Sequence, residues 1–199
     1  STVAAVTFAP RPTSMINNKT TITDCFYNEN EYWFCPIPNA ERGLHIALHP
    51  REPIACSTTA DWQLATIAAG LPMVFTATRE SFIPQMLNLD LLGAISFSKG
   101  CYVGQEIVAR TQHLGRIKRR MYRFTARSAA APGASVYAGG KPVGEVVNAV
   151  KSANGGCVLL AVIRIESLQQ PLSLDPAGEA LLVRQPLPYT VPDSLDAAE

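Results

Sequence analysis

No apolar run in this 199-residue chain approaches the roughly 20 residues needed to cross a bilayer, which excludes a membrane-spanning helix. The opening Ser1-Thr2-Val3-Ala4-Ala5-Val6 lacks the charged region, long apolar core and cleavage site of a secretory signal. It also lacks an initiator Met, so the chain is expected to be processed or to begin inside a longer protein. Charge is scarce: 17% of residues are charged and the net charge is +1. That excludes an acidic solvating tail and gives no global case for nucleic-acid binding, so any basic site must be local. Five cysteines, an odd number with no Cys-x-x-Cys pair, argue against a disulfide framework and a zinc ribbon. Free, mostly buried thiols in a reducing cytoplasm are expected instead, and the Asn18-Lys19-Thr20 sequon then carries no meaning. A Walker loop, a dinucleotide fingerprint and a nucleophile elbow are all missing.

What is present is hydrophobic material, 47% of the chain, enough for one large domain or two small ones. The first segment reads as short strands over Val3–Phe8, Thr20–Tyr27, Tyr32–Cys35 and Leu44–Leu48, with a hairpin loop at Asn28-Glu29-Asn30-Glu31. A helix follows, capped by Thr58 or Thr59, with Asp61 in its first turn and Gly70 and Pro72 as its stop. Trp62, Leu64, Ala65 and Ile67 give it an apolar side. Between Phe82 and Phe97, Pro84, Asn88, Asp90 and Gly93 break any long element. A second helix is predicted from Gly104 to about Gly115, with Glu106 and His113 placed to suit its dipole.

From Arg119 the texture becomes that of strands: Met121–Ala126, Val143–Val150, Val158–Ile165 and Ala180–Val183. Ala153-Asn154-Gly155-Gly156 is a tight turn between the middle pair, and Gly139-Gly140 reads as another. This spacing suggests a small antiparallel barrel. The Ser128–Gly133 stretch reads as a domain linker, and the tail after Pro192 as frayed.

One segment concentrates reactive chemistry: Lys99-Gly100-Cys101-Tyr102-Val103-Gly104-Gln105-Glu106, continuing to Arg110. Glycines before a helix permit positive φ and close backbone approach. Helix-start amides and the Lys99 charge would together lower the Cys101 pKa and raise its thiolate fraction. A Gly-rich turn with Cys101 as a small core residue accounts for the same residues equally well.

The octapeptide resembles the Lys-Gly-Cys-Tyr-x-Gly-Gln-Glu signature of the YgfZ family. The likeness extends upstream through Phe82-Ile83-Pro84-Gln85, Asn88-Leu89 and Leu92-Gly93-Ala94-Ile95-Ser96-Phe97. Downstream it takes in Val108-Ala109-Arg110, Gly115 and the closing Pro186-Leu187-Pro188-Tyr189. It implies an α+β fold in which a partial aminomethyltransferase-like folate-binding domain, residues 1–127, precedes a small antiparallel β-barrel at 128–192 and a frayed tail at 193–199. The implied function is that of a folate-binding accessory protein supporting iron–sulfur enzymes and tRNA modification in the cytoplasm. Cys101 would be the working thiol, and Lys99, Tyr102, Gln105, Glu106 and Arg110 would shape the site around it. Trp62 matches a family tryptophan associated with folate, whose indole suits stacking on a pterin or aminobenzoyl ring; anchoring its helix to the core is the other reading. Two departures stand out. Thr66-Ile67-Ala68-Ala69-Gly70 places Ala68 where the family often has a Glu that binds the pterin in the aminomethyltransferases. The family's N-terminal folate-binding portion is also missing, so tetrahydrofolate is expected to bind weakly.

Arg110, Arg116, Lys118, Arg119, Arg120, Arg123 and Arg127 form a basic stretch with no acid between them. It suits a folate polyglutamate tail or a tRNA backbone, but with only Tyr122 and Phe124 interleaved, a solvated helix end and exposed strand face is the preferred reading. His45 and His49 have metal-pair spacing, yet the segment looks extended and His49 precedes Pro50, so no metal is expected. Three functions remain open: the accessory protein with iron–sulfur partners, a folate-dependent aminomethyl or methyl transferase, and a non-catalytic tRNA-binding module.

Overall fold

Cys157–Arg164 is apolar at nearly every position, which a strand tolerates only when both faces of its sheet are covered. A computed structural model describes residues 5–10, 27–29, 32–36, 42–47, 58–96, 100, 104–114, 117–152 and 155–192, with backbone alone before residue 58 and over 112–114. It shows how that covering is achieved. Six antiparallel strands form one sheet: β5 (Arg119–Ala126), β6 (Ser135–Ala138), β7 (Lys141–Lys151), β8 (Cys157–Arg164), β9 (Leu172–Ser173) and β10 (Leu182–Gln185). Their order is β10-β5-β8-β7-β6-β9, and a bridge between Ser173 and Leu181 brings the two ends together. The sheet thereby closes almost completely into the expected small barrel.

Alternate residues of each strand face opposite ways. Tyr122, Phe124, Val136, Val146, Leu159, Ala161 and Ile163 fill the interior. Met121, Val147, Val150, Leu160 and Val162 point outward and are buried under Ile67 and Leu87. Ile67 belongs to α1 (Thr59–Ala68), which crosses β7 and β8. The expected cap of α1 is present as a reciprocal box: the Asp61 N–H donates to Thr58 Oγ1 (3.2 Å) and the Thr58 N–H to Asp61 Oδ2 (2.8 Å).

A bulge sets the register of β7. Val146 opposes Ala161 and Asn148 opposes Leu160, leaving Val147 as the extra residue. Val146, opposite the inward Ala161, stays inside, while Val147 and Asn148 both face the outer side in succession, Asn148 opposite the outward Leu160. The same bulge directs the buried Asn148 amide at the chain leaving α1. Its Oδ1 accepts from the Met73 N–H at 3.1 Å and its Nδ2 donates to the Leu71 carbonyl at 3.2 Å, so the loop is bonded much as a further strand would be.

Two short strands, β6 and β9, were not legible in the sequence, and β10 begins two residues after the expected Ala180. Pairing with β5, Leu182 opposite Ala126, fixes its position. β5 lies ahead of residue 128, where the barrel was expected to start, and pairs along its whole length with β8. Ser128–Gly133 therefore connects two strands of the barrel rather than two domains, because β5 needs β8 and β10 to complete its hydrogen bonds. Nearer the start, β1 (Ala5–Pro10), β2 (Tyr27–Glu29), β3 (Tyr32–Pro36) and β4 (Arg42–Ala47) form an antiparallel sheet in the order β1-β4-β3-β2. Glu29 pairs with Tyr32, where the hairpin was expected.

Replacing Asn148 with Ala strands two buried backbone groups. It should lower stability by about 1–3 kcal/mol, measured by urea unfolding.

Candidate functional site

Gly104 stands at φ +90°, where a side chain would be strained, and leads directly into α2 (Gln105–Leu114). The predicted helix is thus present, with Glu106 in its first turn. Gln105 is half-buried, Val108 is buried, and Glu106 and Arg110 are exposed one turn apart on one face. Between them Ile107 leaves 61% of its surface in solvent. Lys99, Cys101 and Tyr102 lie outside the described residues.

A polar clasp holds α2 to the barrel. Pro84–Leu87 is a single 3-10 turn that ends at Asn88 in the left-handed conformation (φ 59°, ψ 21°). Fully buried Gln85 donates from Nε2 to the Val108 carbonyl of α2 at 2.7 Å. Fully buried Asn88 donates from Nδ2 to the Met121 carbonyl of β5, also at 2.7 Å. Arg120 closes the arrangement with a two-pronged bond to Asp90 (2.6 and 2.8 Å) and a third bond to the Gln85 carbonyl (2.8 Å). The two charged side chains retain only 6% and 10% of their exposure. Among the described residues no donor reaches Gln85 Oε1 or Asn88 Oδ1, while one N–H of each amide is held by a backbone carbonyl.

The closing Pro186-Leu187-Pro188-Tyr189 segment joins the same clasp. Tyr189 donates its hydroxyl to the Gly70 carbonyl at 2.8 Å and lies 3.5 Å from Asn88 Nδ2. Burial pushes its pKa up, which keeps the phenol protonated and able to donate. Gly70 sits at φ +69°, and a Cβ there would fall 2.6 Å from the Tyr189 oxygen. Only glycine permits both the turn out of α1 and the approach of Tyr189.

The other expected residues are dispersed. Trp62, half-buried on α1, packs with Ala65 and Leu71 around Ala69, which supports its anchoring reading. Ala68, where the resemblance leads one to expect a carboxylate, is exposed and offers a methyl group. Barrel cavities of about 350, 470 and 790 Å3 are lined by barrel residues, not by Trp62, Gln105, Glu106 or Arg110. Cys157 is a free buried thiol whose Sγ lies 3.1 Å from the Ser128 carbonyl; burial pushes its pKa up. His45 stands in β4 and His49 lies outside the described residues.

The basic stretch requires correction at Arg120. Expected on a solvated face, it is buried and neutralised by Asp90, because its even-numbered neighbours Tyr122 and Phe124 face inward and the sheet end at Arg120 is covered by the 84–90 turn. Arg110, Lys118 and Arg127 are exposed, Arg119 and Arg123 are half-buried, and Arg116 lies outside the described residues. Sequence reasoning quoted Gln85, Asn88 and Tyr189 as family markers but gave none of them a role. An Asn closing a Pro-initiated turn was the available signal, since Asn tolerates the left-handed region.

Substituting Asp90 by Leu leaves the Arg120 charge buried and alone, and should cost about 3–5 kcal/mol in urea unfolding. The double variant Asp90→Leu/Arg120→Met should recover most of that loss. Equal losses in the single and double variants would show that the pair's charges are not what matters.

Comparison with known proteins agrees with this architecture. Residues 118–189 match the family model described as the CAF17 C-terminal beta-barrel domain. The tRNA-modifying protein YgfZ of Pectobacterium carotovorum subsp. carotovorum (strain PC1) is 32% identical over 167 residues, covering 80% of this chain and 50% of the relative. That of Colwellia psychrerythraea is 31% identical over 136 residues (65% and 42%), and an uncharacterized protein of Haemophilus influenzae is 39% identical over 140 residues (65% and 49%). The chain spans about half the length of the curated relatives it matches. With its barrel and its similarity across both halves of the described structure, the chain belongs to the YgfZ family.

Proposed function

We propose that this protein supports tRNA modification as a folate-binding accessory to iron–sulfur enzymes of the reducing cytoplasm, with Cys101 as its working thiol. The observation that carries the reading is the junction at Gly104. The Lys-Gly-Cys-Tyr-Val-Gly-Gln-Glu segment runs into α2 through a residue at positive φ, and Gln85 ties that helix to the barrel. Cys101 stands four residues before Gln105 and two after Lys99 in the sequence, and helix-start amides and an ammonium charge are the groups that favour a thiolate where they meet one. The name shared by several relatives, tRNA-modifying protein YgfZ, supports the tRNA connection.

Gln105, Glu106 and Arg110 follow Cys101 in the sequence and supply an amide, a carboxylate and a guanidinium on α2. Residues ahead of the barrel are assigned to the remainder of an aminomethyltransferase-like folate-binding domain, with Trp62 as the ring that contacts folate. Binding by this chain is weak, because Ala68 gives the pterin no carboxylate. A conventional aminomethyl transferase needs a carboxylate to orient the substrate amine and a complete pterin pocket, so that reading ranks second.

The test is replacement of Cys101 by Ala in the full-length protein, expressed in cells lacking it. Thiolated tRNA bases, measured by mass spectrometry of digested tRNA, should fall to the level of the deletion strain while thermal melting of the protein is unchanged. Full recovery of the modified bases by the variant would overturn the role of Cys101.

A further inference from the structure

β5 and β10 together carry Arg119, Arg120, Arg123 and Arg184 and not one acidic residue. Arg120 has Asp90, and Arg184 lies with its guanidinium 4.6 Å from the centre of the Tyr122 ring. Arg123 is different. Its neighbours Tyr122 and Phe124 fill the barrel interior, so its side chain leaves the outer face, between Leu160 of β8 and Gln185 of β10. Its Nε is buried and without an acceptor, and no ion pair reaches its guanidinium among the described residues. Desolvation lowers its pKa, the direction expected of a cation partly withdrawn from water without a counter-charge. Three residues earlier the same strand gives a buried guanidinium three hydrogen bonds, so the fold can supply acceptors where they are needed.

The groups beside Arg123 are donors as well. Gln185 Nε2 donates to Thr125 Oγ1 at 3.3 Å, which leaves the threonine O–H and the second amide N–H available on the same outer face. Beyond Thr125 the face opens into a groove of about 790 Å3, lined by Thr125, Arg127, Gly155, Gly156, Glu179 and Val183, with Val183 59% exposed. Arg119 and Arg123 share the outward parity of β5 and Arg127 continues the line. At about 3.3 Å per residue these charges fall roughly 13 Å apart along the strand.

We infer that the outer face of β5 and β10, centred on Arg123 with Thr125, Gln185 and Arg127, is a phosphate-binding site that takes an RNA backbone. A guanidinium beside a hydroxyl and an amide N–H selects a tetrahedral oxyanion, to which arginine donates two parallel bonds. A row of cations along one strand matches a polyanion better than a single ion. The choice of RNA rests on the proposed tRNA connection; the oxyanion chemistry does not.

The experiment titrates the purified chain with fluorescently labelled tRNA at several KCl concentrations and follows anisotropy. Arg123→Met should weaken binding about tenfold and reduce the slope of log affinity against log salt by about one. Arg123→Lys should retain the slope and lose affinity. Because the methionine removes an unsatisfied buried donor, the Arg123→Met melting temperature should equal or exceed that of the wild type. A second arm adds inorganic phosphate at constant ionic strength. A rise in melting temperature that Arg123→Met abolishes, without tRNA affinity in the wild type, keeps the oxyanion site and assigns it to free phosphate. Unchanged tRNA affinity and slope in Arg123→Met, or no response of the wild type to either probe, overturns the site. Neither result bears on the Cys101 test, which reads modified bases.

Discussion

Arg120 enters β5 with its guanidinium out of water, and everything near it is arranged around that charge. Asp90 neutralises it through two bonds and the Gln85 carbonyl accepts a third, so the turn from Pro84 to Asp90 is fixed against the start of the strand. Once fixed, the turn exposes its two amide side chains to the rest of the molecule. Gln85 takes hold of α2 and Asn88 of β5. Tyr189, arriving from the end of the chain, bonds to the Gly70 carbonyl in the turn out of α1 beside them. Ion pairs of this kind do not necessarily add stability over apolar packing. Their effect here is geometric, because a two-pronged bond fixes the orientation of the turn as well as its distance.

That geometry explains why the barrel is apolar on both faces. A barrel that stood alone would carry polar residues outside, yet Met121, Leu160 and Val162 point outward into a second core with Ile67 and Leu87. The Val147 bulge turns Asn148 to the outer side beside Val147, where it bonds the loop after α1 to the strand. The result is one platform to which Gln85 ties α2. The same platform leaves the far part of the β5 and β10 face open, where Arg123 meets no acid among the described residues.

Much of this was legible in the sequence, and the part that was not has a physical reason. The capped α1, the α2 that follows Gly104 and four of the six barrel strands were announced by local signals: an Asp three residues after Thr58, glycines at turns, and apolar runs such as that of β8. β9 has two residues and β6 four, too few to show a period. The clasp escaped for another reason. Each of its bonds joins residues between 23 and 119 positions apart, and Arg120 is indistinguishable in sequence from the solvated arginines around it. The resemblance marked Gln85, Asn88 and Tyr189 without saying that they meet. The site residues Lys99, Cys101 and Tyr102 lie outside the described structure, so only their anchor at Gly104 and α2 could be set against expectation.

Amide hydrogen exchange of a Gln85→Met variant tests the central claim most directly, that the 84–90 turn is what holds α2 to the barrel. Methionine keeps the volume of the side chain and removes its bond to Val108. The account predicts faster exchange across α2 while the amides of β5 and β8 keep wild-type protection. Unchanged exchange in α2, or a uniform loss across the barrel strands, would contradict it.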